Sequence, residues 1–213
     1  MHFKYYKSER LILFIIGLAV LVGYFVTVCI HPLIEHAKEP YRTFVIYTEM
    51  FTVPFFVTII FFIIDIWGWK YWLFKWLVDI PNLNGRYEGK VISSFTIDDN
   101  SVEIHFALEI VQTASSIHIS SYYFNPELNE ETASYSIIEE IEKQKNGIFK
   151  LFYLYTNMPG RLNKVLTQHD GTASAMYYPD IKKLDGGYYN SRKNTGQFEA
   201  VWVSEKLIHR YHK

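Results

Sequence analysis

The chain has 213 residues, of which 21 are lysine or arginine, 22 are aspartate or glutamate and 18% are aromatic. Its net charge of −1 argues against a protein that coats nucleic acid polymers, since such proteins carry a basic surplus. The single cysteine, Cys29, excludes a disulfide framework and a CxxC metal site.

The composition differs sharply between two parts of the chain. Residues 1–80 are apolar and aromatic, whereas residues 81–213 alternate polar with apolar side chains. The second part carries 14 Lys+Arg and 16 Asp+Glu, a net charge of −2. We therefore predict a membrane region over residues 1–80 and a soluble domain over residues 81–213.

The first predicted element is a transmembrane helix from Leu11 to Ile30, a run of 20 residues without a charge. A helix rises about 1.5 Å per residue, so this run matches the roughly 30 Å hydrocarbon core of a bilayer. A cleaved signal peptide is the alternative. It fits poorly, because the apolar run is too long and no small-residue cleavage site follows it.

A second transmembrane helix is predicted from about Phe44 to Trp67. Its middle, residues 51–64, is uncharged, and Pro54 inside it is tolerated because membrane helices accommodate proline kinks. Glu49 and Asp65 lie near its two ends. A carboxylate in hydrocarbon is costly, so the role of Glu49 stays an open question at this point.

Basic residues and tryptophans flank the two predicted spans. Three basic residues precede the first span, two lie in the connector and two follow the second. This mild bias places both termini in the cytoplasm of a multi-pass protein. Four of the five tryptophans fall within residues 67–76 beside two lysines, which is typical of an interfacial aromatic segment.

From Leu83 onward the hydrophobic period changes to two, which is typical of strands. The clearest strand runs from Val102 to Ile110, and the turn residues 98–101 predict a hairpin before it. Asn146-Gly147 marks a second hairpin. In all, eight strands are predicted, at residues 83–91, 102–110, 117–123, 132–142, 148–155, 171–178, 188–193 and 197–204.

These strands predict a membrane-anchored all-β fold: two N-terminal transmembrane helices followed by a small, lipocalin-like antiparallel β-barrel of eight strands. A β-sandwich is the alternative, because counting strands does not distinguish a closed barrel from two packed sheets. An outer-membrane barrel is excluded, because Glu88, Lys90 and Glu103 would stand at positions that should face lipid.

Polar residues at the ends of inward-facing strand positions are candidates for ligand contact. If Tyr155 points into the barrel then so does Asn157, and Gln112 follows Ile110 in the same way. The stretch Gly186–Gly196 interleaves two tyrosines with two cations. Arginine can fork onto phosphate and tyrosine can stack on a base, although a hairpin with solvated cations is the alternative.

The sequence contains none of the common catalytic motifs. GxSxG, HExxH, Walker A and a GxGxxG after a strand are all absent. The eight histidines are scattered, and His169-Asp170 before Gly171 reads as a turn. The sequence therefore predicts a protein that is not an enzyme and that holds neither a metal nor a cofactor.

Five short motifs follow one another behind the predicted helices. They are Leu83-Asn-Gly-Arg-Tyr-Glu-Gly89, Val111-Gln-Thr113, Leu151-Phe-Tyr-Leu-Tyr-Thr-Asn-Met-Pro159, Asp185-Gly-Gly-Tyr-Tyr-Asn-Ser-Arg192 and Thr195-Gly196. In this order, over residues 11–204, the chain resembles the two-transmembrane, β-barrel effectors of CBASS, the cyclic-oligonucleotide-based anti-phage signalling systems.

The resemblance implies a cytosolic barrel that binds a cyclic dinucleotide made by a cognate nucleotide cyclase after phage infection. Binding would promote self-association, and the clustered helices would disrupt the bacterial inner membrane and kill the cell. The expected partners are thus the cyclic dinucleotide, the lipid bilayer and further copies of the chain, without a polymeric nucleic acid.

A cyclic dinucleotide carries two phosphates and two bases. The candidate ligand-binding residues are Arg192, Thr195, Tyr188, Tyr155, Asn157, Gln112 and Arg86. The arginines and the threonine would contact phosphate, and the tyrosines and amides would stack on bases or contact their edges. A membrane-tethered carrier of an apolar small molecule and a structural docking protein are the alternatives. The carrier predicts an apolar cavity, with Arg192 and Gln112 turned to solvent.

Overall fold

The computed structural model describes residues 3–30, 32, 41–97, 100–125, 130–159 and 167–211. The side chain of Glu49 lies outside the described residues. The chain divides into two compact units. One comprises Met1–Asp79 with Thr113–Ser116, and the other comprises Ile80–Gln112 with Ile117–Lys213.

The first unit is helical. Helix α1 covers Ser8–Phe25 and continues as one π-helical turn over Val26–Ile30, and helix α2 covers Tyr41–Ile66. Short 3₁₀ turns follow at Gly68–Lys70 and Trp72–Phe74.

Within the described part of the chain, one helix, Ser8–Cys29, is long and apolar enough to cross a membrane. The described apolar part of α2 is Phe51–Ile66. Of the two predicted spanning helices, the structure therefore supports the first, Leu11–Ile30. It does not identify the second, Phe44–Trp67, as a membrane span.

The aromatic segment that follows α2 packs within the same unit. The ring of Trp76 meets that of Phe14 edge to face at 5.8 Å, and its carbonyl accepts a hydrogen bond from Arg10 at 2.8 Å. Asp65, near the end of α2, accepts hydrogen bonds from the hydroxyls of Tyr6 and Ser115. This carboxylate is thus satisfied by partners inside the unit.

The second unit is a closed barrel of eight antiparallel strands. The strands are β1 Gly85–Ile97, β2 Asn100–Gln112, β3 Ile117–Asn125, β4 Glu130–Lys143, β5 Phe149–Pro159, β6 His169–Tyr178, β7 Lys183–Asn190 and β8 Thr195–Ser204. Each strand pairs with the next, and β8 pairs with β1. The predicted eight-stranded barrel is confirmed, and closure excludes the sandwich.

One predicted strand was wrong in its position. The prediction placed it at residues 188–193, whereas β7 covers Lys183–Asn190. The Asn190 side-chain oxygen accepts the N–H groups of Arg192 and Asn194, and Lys193 has a positive φ of 64°. These bonds stabilise a tight turn at residues 191–194, because an asparagine side chain can replace a strand partner for nearby N–H groups. Arg192 therefore lies in a turn.

The interior of the barrel is built differently at its two ends. In the lower half, which ends at the Asn146-Gly147 turn, inward side chains are large and fully buried; they include Tyr87, Leu108, Ile110, Leu151 and Leu184. At the other end, called the mouth, β7 and β8 join through residues 191–194 and the inward positions are polar. Alternation along each strand places these polar groups inside the barrel.

Candidate ligand-binding site

A pocket of about 140 Å³ lies inside the mouth of the barrel. All described strands except β2 and β8 contribute a polar lining residue to it, and β2 contributes Ile104. The lining residues are Val91, Ser93, Ile104, Tyr123, Thr132, Ser134, Tyr155, Asn157, His169, Tyr188, Asn190, Arg192 and Asn194. We refer to this site as the mouth pocket.

Two glycines make room for two tyrosine rings in the pocket wall. Gly196 on β8 pairs with both Tyr188 and Ser93, and a Cβ on Gly196 would overlap the Tyr188 ring. The missing side chain lets the Tyr188 hydroxyl cross β8 and donate to Ser93 Oγ at 3.0 Å. Gly171 is the register partner of Tyr155, and a Cβ on Gly171 would overlap the Tyr155 ring in the same way. Both rings are thereby held at the pocket wall.

The floor of the pocket is aromatic. Phe106 lies in the interior and stacks on Tyr123, with ring centroids 5.9 Å apart and planes 15° apart. Phe198 meets Phe106 edge to face at 5.7 Å. Offset and edge-to-face contacts of this kind are the favourable arrangements for aromatic rings. This cluster lies between the pocket, which Tyr123 lines, and the filled lower half.

Polar groups of the wall have defined hydrogen bonds. Asn157 is buried and donates its amide hydrogen to Ser134 Oγ at 2.9 Å across the β4–β5 pair. His169 Nδ1 lies 3.0 Å from the Thr167 carbonyl. Because a carbonyl only accepts, Nδ1 carries the proton in that bond, and Nε2 has no hydrogen-bond partner among the described residues.

Arg192 is the one guanidinium among the described lining residues, and none of those residues is a carboxylate. Its backbone is fixed by the bond to Asn190, while no described residue accepts a hydrogen bond from its guanidinium. Burial raises the pKa of Tyr155 and of Tyr188 above the ordinary value, so both phenols stay neutral donors at neutral pH. The described lining is thus electropositive and suits an anion.

Three of the seven predicted residues lie away from the pocket. The side chain of Gln112 is buried in the lower half, where it accepts from the Leu83 N–H at 2.7 Å and donates to the Pro81 carbonyl at 3.0 Å. Arg86 points outward and bonds Glu109 at 2.8 Å. Thr195 also points outward, and its N–H donates to Ser94 Oγ at 2.9 Å.

The other four predicted residues, Arg192, Tyr188, Tyr155 and Asn157, are brought together in the mouth pocket. Sequence reasoning missed several further lining groups, among them Ser93, Ser134 and His169. Ser93 and Ser134 were detectable in principle, because each continues an inward-facing alternation. His169 had no local signal, since its place depends on where β6 begins.

A larger groove of about 560 Å³ lies on the outer wall over β5 to β8. Thr195 and Gln197 line it together with the outward side chains of Phe152 and Tyr189. No described lining residue of this groove is charged. It therefore lacks the cation that an anionic ligand requires, and the mouth pocket is the better candidate site.

A closed eight-stranded barrel with a filled lower half and a hollow mouth has the architecture of barrels that can hold one small ligand. Residues 78–201 match the family described as Cap15, cyclic dinucleotide receptor domain. Because the match covers more than half of the chain, the chain belongs to this family. The predicted resemblance to CBASS effectors is confirmed. No curated protein matches the chain.

Proposed function

We propose that the mouth pocket is where this CBASS effector binds its cyclic dinucleotide, and that binding promotes self-association and disruption of the bacterial inner membrane. The guanidinium of Arg192, which has no hydrogen-bond acceptor among the described residues and lines a pocket of a cyclic dinucleotide receptor domain, is the observation that carries the proposal. The described lining carries no opposing carboxylate. No catalytic step and no cofactor are part of the proposal.

Arg192 supplies the phosphate contact. A guanidinium forms short, charge-assisted hydrogen bonds to phosphate oxygens, and its planar fork can engage two oxygens at once. The Asn190 side chain fixes the turn that carries Arg192, so less conformational freedom is lost when the ligand binds.

The tyrosine rings and amides contact the bases. Tyr188 and Tyr155 present flat faces that are held in place by the glycines opposite them, and a base can stack on such a face. Asn157 donates one amide hydrogen to Ser134, which leaves its carbonyl oxygen to accept from a base edge.

The size of the pocket sets how the ligand enters. Its volume of about 140 Å³ is below the roughly 300–1,000 Å³ of pockets that enclose a drug-sized ligand. A cyclic dinucleotide would therefore place one part inside the pocket and the remainder across the mouth.

The polar lining does not favour the two alternative functions. The apolar carrier predicts that Arg192 turns to solvent, whereas Arg192 lines this pocket together with amides and hydroxyls. A docking protein does not need a hollow mouth lined by a cation for which the described part of the chain offers no acceptor.

The membrane step rests on the exposed apolar helix. The helix Ser8–Cys29 exposes large apolar side chains such as Leu13 and Val20. A bilayer is the natural environment for such a surface. A ligand shifts an assembly equilibrium only by its preference for the assembled state, and confinement to a membrane raises the effective concentration of the copies.

The first test is isothermal titration calorimetry of the full chain in detergent with a panel of cyclic dinucleotides. Arg192→Ala should weaken binding of the preferred ligand roughly 10- to 100-fold, because one charge-assisted contact is lost. Lys193→Ala, a cation in the same turn that does not line the pocket, is the control and should bind like the wild type. Full affinity of the Arg192 variant would remove this residue from the site. No binding of any panel member by the wild type would overturn the proposal.

The second test removes the helical region. A chain that lacks residues 1–76 should no longer permeabilise the inner membrane of cells that make the ligand, as measured by entry of a membrane-impermeant dye. The full chain is the positive control. Dye entry at the wild-type level with the shortened chain would contradict the membrane mechanism.

A further inference from the structure

A groove of about 490 Å³ lies in the helical unit. Its described lining residues come from α1, from the end of α2 and from the aromatic segment after α2. All of them are aliphatic, aromatic or glycine, and they include Phe14, Ile60, Ile63, Leu73 and Trp76. We call this site the helix groove.

The helix groove is open, and its walls expose large apolar side chains. Ile63, Leu73 and Trp76 are all exposed. Adjacent apolar groups that remain in contact with water mark a binding surface. The volume of the groove falls within the roughly 300–1,000 Å³ of pockets that hold a small molecule. The groove therefore suits the apolar part of a ligand.

Arg10 on α1 lies at one end of the helix groove. It is the last charged residue before the uncharged run from Leu11 to Ile30, and Phe14 follows it by four residues on the same helix face. Helical side chains tilt toward the helix N-terminus, so the Arg10 side chain is directed away from the apolar run. Its Nη1 donates to the Trp76 carbonyl at 2.8 Å, and the rings of Trp76 and Phe14 meet at 5.8 Å. The cation is thus held beside two walls of the groove.

The Arg10 guanidinium can bind an anion. Lys7 nearby pairs with Asp79 at 3.2 Å, whereas no carboxylate among the described residues pairs with Arg10. The bond to Trp76 uses Nη1, and the other two guanidinium nitrogens have no acceptor among the described residues. A guanidinium forms short, charge-assisted hydrogen bonds to phosphate oxygens. Apolar walls with a cation at one end match a molecule that has an apolar chain and an anionic head.

We propose that the helix groove binds an acyl chain of an anionic phospholipid, and that Arg10 contacts the lipid phosphate. Basic pockets between membrane helices bind anionic head groups in this way. An apolar small molecule would fill the groove but would leave the guanidinium without an acceptor, so the charge favours the lipid. The site rests on the proposed membrane location of the helical unit, and its ligand is distinct from the cyclic dinucleotide.

The test is native mass spectrometry of the full chain, released from detergent micelles that contain equal amounts of dioleoylphosphatidylglycerol and dioleoylphosphatidylcholine. The two lipids have the same acyl chains and differ in the net charge of the headgroup. The chain should retain phosphatidylglycerol roughly fivefold more than phosphatidylcholine, which is the preference that one cation near a membrane surface gives for an anionic lipid. Equal retention of the two lipids would overturn the proposal.

Variants of Arg10 test the phosphate contact. Arg10→Ala should abolish the preference, so that both lipids are retained equally. Arg10→Lys keeps the charge and is the matched control, which should still prefer phosphatidylglycerol. A full preference in the alanine variant would overturn the assignment of the phosphate to Arg10.

A bulky substitution tests the groove itself. Ile63→Trp should fill the helix groove and reduce retention of phosphatidylglycerol several-fold. Ile16→Trp, at an exposed position of α1 that does not line the groove, is the matched control and should retain the lipid like the wild type. Circular dichroism checks that both variants are folded. Undiminished lipid retention in the folded Ile63 variant, joined to fewer chains per particle, would assign the groove to a second copy and overturn the lipid site. Undiminished retention with no change in assembly would overturn it as well.

Flotation with vesicles separates this site from the proposed function. A wild-type chain that floats with neither phosphatidylglycerol nor phosphatidylcholine vesicles would overturn the membrane location and the lipid site together. A chain that floats with both but retains neither lipid selectively would overturn the lipid site alone. Binding of cyclic dinucleotides is measured by calorimetry on the same variants, and Arg10→Ala should leave it unchanged.

Discussion

The two halves of the barrel interior are built from the same strands, but one half is filled with side chains and the other contains a pocket. Below the Phe106–Tyr123 stack, inward positions are mostly apolar; among the exceptions are Gln112 and two tyrosines, Tyr87 and Tyr177, that hydrogen-bond each other. Above it, the same alternation presents hydroxyls and amides around a cavity, and the turn after β7 adds Arg192. Buried apolar area is the main favourable contribution to folding. The filled lower half therefore contributes more to the stability of the barrel than the hollow mouth does. This difference predicts that stability and ligand binding can be separated by mutation.

The largest effect on stability is expected in the lower half. Leu151 is fully buried, so Leu151→Ala should lower the free energy of unfolding by about 2–5 kcal/mol through lost burial and a residual cavity. The fraction that remains folded should bind the ligand with wild-type affinity. Denaturant unfolding and calorimetry check the two expectations. Loss of affinity in the folded variant would contradict the separation of the halves.

A smaller loss of stability, joined to a loss of binding, is expected from the glycine beside the mouth. Gly196→Ala places a methyl group against both the Tyr188 ring and the Ile92 carbonyl, so the ring and the local backbone must move and the bond from Tyr188 to Ser93 is lost. We expect a cost of about 1–3 kcal/mol in unfolding free energy together with weaker ligand binding. Gln197→Ala, on the outward face of the same strand, is the matched control for both measurements. Unchanged affinity in the glycine variant would show that the position of Tyr188 is unimportant.

The smallest effect is an alkaline loss of stability from the buried phenols. Burial raises the pKa of Tyr155 and Tyr188 in the folded chain above the ordinary value of 10. As the pH rises, the unfolded chain therefore releases these protons before the folded chain does. The free energy of unfolding is unaffected well below pH 10 and decreases as the pH rises through and above 10. At pH 10 itself the loss is about 0.4 kcal/mol for each buried phenol.

Unfolding measured between pH 8 and pH 11 tests this expectation. Tyr188→Phe should reduce the dependence on pH, whereas Tyr189→Phe on the exposed outer face is the matched control. A stability that is flat through pH 11 would contradict the burial of the phenols.

Much of the fold was predictable because its signals are local. The apolar run from Leu11 to Ile30 and the alternation from Val102 to Ile110 are periodic patterns within single elements, and both elements are present. The position of β7 was wrong because the Asn190 side chain stabilises a turn at residues 191–194 that composition alone did not distinguish from a strand.

The candidate site was predictable in part for the same reason. Asn157 follows from the alternation of β5, and Arg192 and Tyr188 follow from the composition of one hairpin. Gln112 obeys the same alternation at the lower end of β2, where Pro81 and Leu83 occupy its amide. Alternation indicates which face of a strand a residue occupies, but the end of the barrel depends on strand direction and register.

The sequence by itself determined the elements, since hydrophobic period, charge-free length and turn residues act between near neighbours in the chain. It also determined the family, through motifs preserved in order. Tertiary structure alone decided that Gly171 and Gly196 make room for two tyrosine rings, that His169 joins the mouth pocket, and that the main chain of residues 208–210 bonds the buried Arg86–Glu109 pair. Each of these contacts joins residues on different strands, and their distances depend on how the barrel closes.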